Sequence, residues 1–304
     1  MNCTELVKLA SIAENYGQMT GVLAGFAFTG LVILLTPNTS DHARSVSTRG
    51  SGVPLALFVS FISLVLTTLL YSVMAGDSSE VARPRAATVE LINGLVFALA
   101  VIILLHGVGL LMQGARIERS AVSFARFSTV VAFPTMGMFF IAQGVSDTAA
   151  ARAMVQGQDC QTTMPPLGMW LTAVEAAVLS ASLTGPVRRK LSSFSGVGRL
   201  WAPLVVFIVS IIVTMVSAFI STRSPRFLMS PTAINWFLVG SALLFTALGL
   251  MLCASSKPDS PPTRVMPDFP RRRQLRNKKP AFAQRRSAQR DLVGRSRRMP
   301  SGHI

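Results

Sequence analysis

The stretch Leu200–Ile220, LWAPLVVFIVSIIVTMVSAFI, holds no charged residue. As a helix rising 1.5 Å per residue it is about 30 Å long, which matches the hydrocarbon core of a bilayer. No water reaches the backbone in that core. A crossing segment must therefore pair its own N–H and C=O groups, which makes it a helix or part of a closed barrel. Apolar runs of this length are too long for barrel strands, and six more of them occur. They lie near 18–36, 53–75, 88–112, 120–143, 165–185 and 232–253. Gly, Pro, Ser and charged residues punctuate the gaps, as helix ends require. The reading is an all-α, polytopic integral membrane bundle of about seven transmembrane helices.

Composition agrees. Half of the 304 residues are apolar, mean hydropathy is +0.50, and 14% are charged. Soluble domains carry roughly 25% charged residues. These values exclude a soluble globular domain and a disordered chain.

The net charge of +16 is uneven. Residues 254–304 hold 14 Lys/Arg against 3 Asp. Pro258, Pro261, Pro262, Pro267 and Pro270 break any helix there, and the Arg-rich remainder has too few apolar residues to fold alone. The chain thus divides into a transmembrane domain, 1–253, and a Pro-containing linker with a disordered basic tail, 254–304. Cations mark the cytoplasmic side of a bundle. With the tail inside, seven spans put the N-terminus outside. Arg44, Arg49, Arg116, Arg119, Arg126, Arg188, Arg189, Lys190 and Arg199 then fall on the inner side. Lys8, Arg83, Arg85, Arg152, Arg223 and Arg226 fall on the outer side. Arg outnumbers Lys 24 to 5, the bias of a GC-rich codon pool, and the chain is read as a bacterial plasma-membrane protein. Residues 1–17 contain Glu5, Lys8 and Glu14 and lack a small-residue cleavage site, so the first span is expected to serve as the insertion signal and remain.

Few residues point to chemistry. Glu175 is the one acidic residue deep within an expected span, and a carboxylate there must face the bundle. Gly168, Thr172, Glu175 and Ser182 recur at helical spacing and form one small, polar stripe. His106 is the one histidine within a span, and Arg126 lies just inside the cytoplasmic end of the fourth. Glu175, His106 and Arg126 form the candidate intramembrane polar site. Pro134 should kink the fourth span. Glu90 and Asn93 sit at the outer end of the third span, where an interfacial role is expected. Gly17, Gly21 and Gly25, four residues apart, offer a close-packing face for another helix of this chain or of a second copy.

No catalytic motif, metal-ligand cluster or cofactor fingerprint appears. Span seven has no lysine, which argues against a retinal-type Schiff-base pigment. The leading expectation is a non-enzymatic scaffold or accessory subunit that works through helix packing and its tail, with a protein partner or homo-oligomer. The tail suits anionic lipid headgroups, at about 1 kcal/mol per cation near the surface. Only Phe269 and Phe282 interleave with its cations, so nucleic acid is not an expected partner. The alternative is a small transporter or channel with a polar site around Glu175.

Cys3 and Cys160 share the outer side in this topology, where a disulfide is chemically permitted. Non-reducing gels should show a mobility shift on reduction that Cys3→Ser and Cys160→Ser each abolish. Equal mobility with and without reductant excludes the bond.

Overall fold

The computed structural model describes residues 9–36, 52–76, 80–115, 117–157, 165–192 and 195–255. Cys3, Cys160, Arg44, Arg49 and the tail from residue 256 lie outside the described residues. The elements are α1 (Leu9–Leu35), α2 (Gly52–Gly76), a 3-10 turn (Glu80–Ala82), α3 (Arg83–Gly114) and α4 (Arg119–Phe127). A π-turn (Ser128–Ala132) joins α4 to α5 (Phe133–Gln156). Then come α6 (Pro166–Ser182), α7 (Gly185–Ser192), α8 (Ser195–Ser221) and α9 (Pro231–Ser255). There is no strand among the described residues.

Six helices are long and apolar enough to cross a membrane: α1, α2, α3, the α4–α5 rod, α8 and α9. The fifth expected span, 165–185, is the shorter α6 of 17 residues. At 1.5 Å per residue it is about 25 Å long, below the six others. Helix α5 overruns its expected end near 143 and continues to Gln156 through the Ala-rich run Ala149–Ala151. Asp147 and Arg152, expected in a loop, are therefore helical. Gly157 stops the rod at φ +67°, a left-handed cap that glycine adopts without a Cβ clash. Prolines open α3, α6 and α9 in the first turn, where the missing N–H has no helical partner anyway.

Cross-helix contacts give the directions. Thr68 Oγ1 donates to Thr20 Oγ1 at 2.9 Å, and Gly17 faces Tyr71, so α1 and α2 are antiparallel. Ser60 Oγ donates to the Ala100 carbonyl at 3.2 Å, and Gly107 faces Leu57, so α2 and α3 are antiparallel. Gly137 faces Ala98 and Gly144 faces Leu91, which sets α5 antiparallel to α3. Ser217 Oγ donates to Asn93 Oδ1, while Arg85 donates to the carbonyls of Ser221 and Arg223. Helix α8 is thus also antiparallel to α3, and Arg85 caps its C-terminus, where carbonyls lack helical partners. Helix α6 runs beside α9 in the same direction: Leu179 lies against Gly249, and Cys253 Sγ contacts the Ser182 carbonyl at 3.4 Å.

Helix α3 is the hub, touching α1, α2, α5, α8 and α9. Its Leu95, Val96, Leu99, Ile102 and Ile103 join Met138, Leu238, Phe245 and Leu248 in one buried core. Lipid tails are as apolar as these side chains, so close fit rather than the hydrophobic effect holds the helices together. Glycines supply the fit at α6: a Cβ on Gly168 would stand 2.6 Å from Ala142 Cβ, and one on Gly249 2.6 Å from Leu179 Cδ2 and 3.1 Å from the Val130 carbonyl oxygen. The glycine face of α1 behaves otherwise. Ala13, Thr20, Ala24 and Ala27 are buried instead, and of the three glycines only Gly17 meets another helix. Gly21 and Gly25 face open space.

These contacts predict opposite outcomes for glycines of similar sequence context. Gly168→Ala should cost about 1–3 kcal/mol of stability by overpacking, whereas Gly21→Ala should cost nothing measurable. Thermal unfolding in detergent checks both, and equal midpoints would contradict the packing described.

Candidate functional site

Helix α6 buries one face and exposes the other. Gly168, Glu175, Leu179 and Ser182 are buried, while Met169, Trp170, Val174 and Val178 are exposed. The spacing of seven from Gly168 to Glu175 and again to Ser182 keeps the three on one side of a helix. Thr172 is half-buried on the same side, and its hydroxyl donates to the Gly168 carbonyl at 2.8 Å.

Glu175 is 2% exposed, and neither of its carboxylate oxygens has a hydrogen-bond partner among the described residues. Two contacts bracket its depth. Toward one end of α6, Gly168 lies on Ala142; toward the other, Leu179 lies on Gly249, which itself abuts the Val130 carbonyl. Interpolation puts Glu175 level with Pro134 and Thr135. Pro134 has no N–H to give the Val130 carbonyl, and its ring crowds the turn before it. The helix answers with the π-turn, where the Phe133 N–H reaches back five residues to Ser128. The wider turn is the local departure that Pro134 imposes on this helix. The Thr135 hydroxyl and, on α9, the Ser241 hydroxyl are likewise buried without a partner among the described residues.

His106 and Arg126 meet elsewhere. Both line a small pocket with Gly109, Gln113, Thr129 and Leu252, where the end of α3 faces α4. His106 is buried and Arg126 half-buried. Val130 also lines this pocket, whereas Glu175 does not. The contact of Leu179, Gly249 and Val130 lies at a depth between Glu175 and the pocket. The three candidate residues therefore form two stations, one of Glu175 and one of His106 with Arg126.

A third polar group is deeper than the sequence reading placed it. Asn93 is fully buried, and its Oδ1 accepts from Ser217 Oγ at 2.9 Å. Glu90, one turn earlier, has Oε2 enclosed without a partner among the described residues. It lies within electrostatic reach of Asp147 on α5 and of Tyr71 on α2. Asn93, expected at the interface, is covered by α8 through Ser217, whereas Glu90 is half-buried toward α1, α2 and α5. Ser210 and Ser217, seven residues apart on α8, were the available signal, since they mark one polar face toward α2 and α3.

No group of three or more His, Cys, Asp or Glu that could hold a metal occurs among the described residues. Comparison with known proteins finds no match: no family model, no curated protein and no solved structure is similar to this chain.

A buried polar group without a partner destabilises by about 1–3 kcal/mol, which an apolar side chain of similar shape recovers. Glu175→Leu should therefore raise the thermal unfolding midpoint in detergent. A lower midpoint would show that the carboxylate is held by contacts that support the fold.

Proposed function

We propose that this chain crosses a bacterial plasma membrane seven times, N-terminus outside and C-terminus inside, and carries protons at Glu175 as a small channel or transporter. Helix directions support the span count. Helices α5 and α8 both run antiparallel to α3, so they point the same way, and the chain between them must return across the bundle. Helix α6 is antiparallel to α5 and makes that return. The orientation rests on the cations of residues 188–199 and of the tail.

One observation carries the functional reading: a carboxylate enclosed in the bundle interior without a hydrogen-bond partner among the described residues. Such a group is costly in hydrocarbon, and ionisable residues kept inside a membrane bundle mark ion pathways and proton relays. A proton suits it better than a hard metal cation, which needs about six oxygen ligands. Facing Glu175, α9 brings no titratable residue except Cys253, and α5 brings only Asp147 and Arg152, both nearer its C-terminal end. The carboxylate is thus the one acid–base group at its depth among the described residues of these helices.

A second reading has its own support. Gly21 and Gly25 lie open on α1 between exposed Met19, Val22 and Phe26. A face of that kind suits a helix of another subunit, with the tail on anionic lipid, in an accessory or scaffold role.

Proton flux into proteoliposomes separates the two. The native chain should dissipate an imposed pH gradient, Glu175→Gln should fall to the leak of protein-free vesicles, and Glu175→Asp should keep part of the flux. Flux that survives Glu175→Gln overturns the proposal. A native chain without flux that emerges from the membrane as a defined oligomer in native mass spectrometry moves the accessory reading to first place.

A further inference from the structure

Helix α3 carries two buried polar atoms that the proton site at Glu175 does not use. Asn93 Nδ2 has no acceptor, and Glu90 Oε2 has no donor, among the described residues. Residues three apart on a helix lie on one face with Cβ atoms about 5–6 Å apart. The two groups are therefore close, yet they do not bond to each other. Turning the Asn93 amide over does not remove the deficit, because Nδ2 would then take Ser217 and leave Oδ1 unpaired.

A donor and an acceptor set apart in this way are served together by a small species that accepts from one and donates to the other. Water does this, and a metal cation does not, because an amide N–H repels it. Buried waters characteristically join such otherwise unpaired polar groups. The surrounding groups bear on its charge. Asp147 faces Glu90 from α5, Tyr71 from α2 and Tyr16 from α1, all within electrostatic reach. Helix α8 adds the hydroxyls of Ser217 and Ser221, which do not titrate. Arg85, on the first turn of α3, is committed to the Ser221 and Arg223 carbonyls. Glu90 and Asp147 are thus two carboxyl groups within electrostatic reach of one another in this half of the bundle.

We propose that Glu90 and Asn93 bind a water between them, and that this water, with Asp147 nearby, forms a second proton-binding site in the half of the bundle where α3 begins. By the α3–α5 contacts the site lies level with Ala142–Asp147 of α5, about ten residues, or about 15 Å, from the level of Glu175. It is a separate station, and its existence does not depend on transport through Glu175.

Infrared difference spectra between low and high pH test it, on the full-length protein in lipid nanodiscs. The native protein should show a carboxyl band that is shifted by deuterated water and lost in Glu90→Gln. Asn93→Leu removes the amide that holds the water, so it should displace that band while leaving the carboxyl group in place. Glu175→Gln should remove a different band. Spectra of Glu90→Gln that superimpose on the native ones overturn the site. So does a Glu90 band that Asn93→Leu or deuteration leaves unmoved, and this second arm holds if Glu90→Gln does not fold. Failure here leaves the flux result at Glu175 intact, and failure of that flux leaves these bands as expected.

Discussion

Helix α6 brings a carboxylate into the bundle because Gly168 lets it lie against Ala142 of α5 and Gly249 lets α9 lie against Leu179. Neither approach has room for a Cβ. Without them α6 would stand off by the width of a methyl group, and Glu175 would face lipid or a gap. The same contacts seat Leu179 against α9 and set the carboxylate level with Pro134. The π-turn beside it follows from that proline, and the depth of Glu175 follows from the seating of α6.

The remaining buried polar groups obey a simple division. Most Ser and Thr hydroxyls donate back to carbonyls three or four residues earlier, as Thr67, Thr129, Thr172 and Thr214 do. Such bonds let a hydroxyl enter the interior at little cost and leave the helix whole. A smaller set links helices: Ser63 with Ser210, Ser60 with the Ala100 carbonyl, Ser217 with Asn93. Against this background the enclosed oxygens of Glu175 and Glu90 and the Asn93 amide stand out. With the Thr135 and Ser241 hydroxyls they are groups for which neither solution is used among the described residues, and the functional proposals rest on the two carboxyl groups and the amide.

Much of this was legible in the sequence. The apolar runs, the polar stripe of α6 and the inward face of Glu175 all follow from helical periodicity and from the cost of charge in hydrocarbon. Three features were not. Asp147 and Arg152 were read as loop because hydropathy falls there, although an Ala-rich run keeps the helix going. Asn93 was read as interfacial because it lies near a helix end, while the helix that covers it comes more than a hundred residues later. Gly21 and Gly25 were read as a packing seam from spacing alone, which cannot tell a filled face from an open one.

The sequence by itself determined that this chain forms long apolar helices suited to a membrane, and that α6 turns a polar stripe with Glu175 inward. Those properties are local: they depend on residues within a few turns of one another and on the absence of water in the bilayer. Tertiary structure alone decided that His106 and Arg126 share a pocket, that Glu175 lies apart from them, and that Asn93 is sealed under α8. Each of these depends on which helices are neighbours and in what register. That is set by van der Waals fit between distant segments, which hydropathy and spacing do not encode.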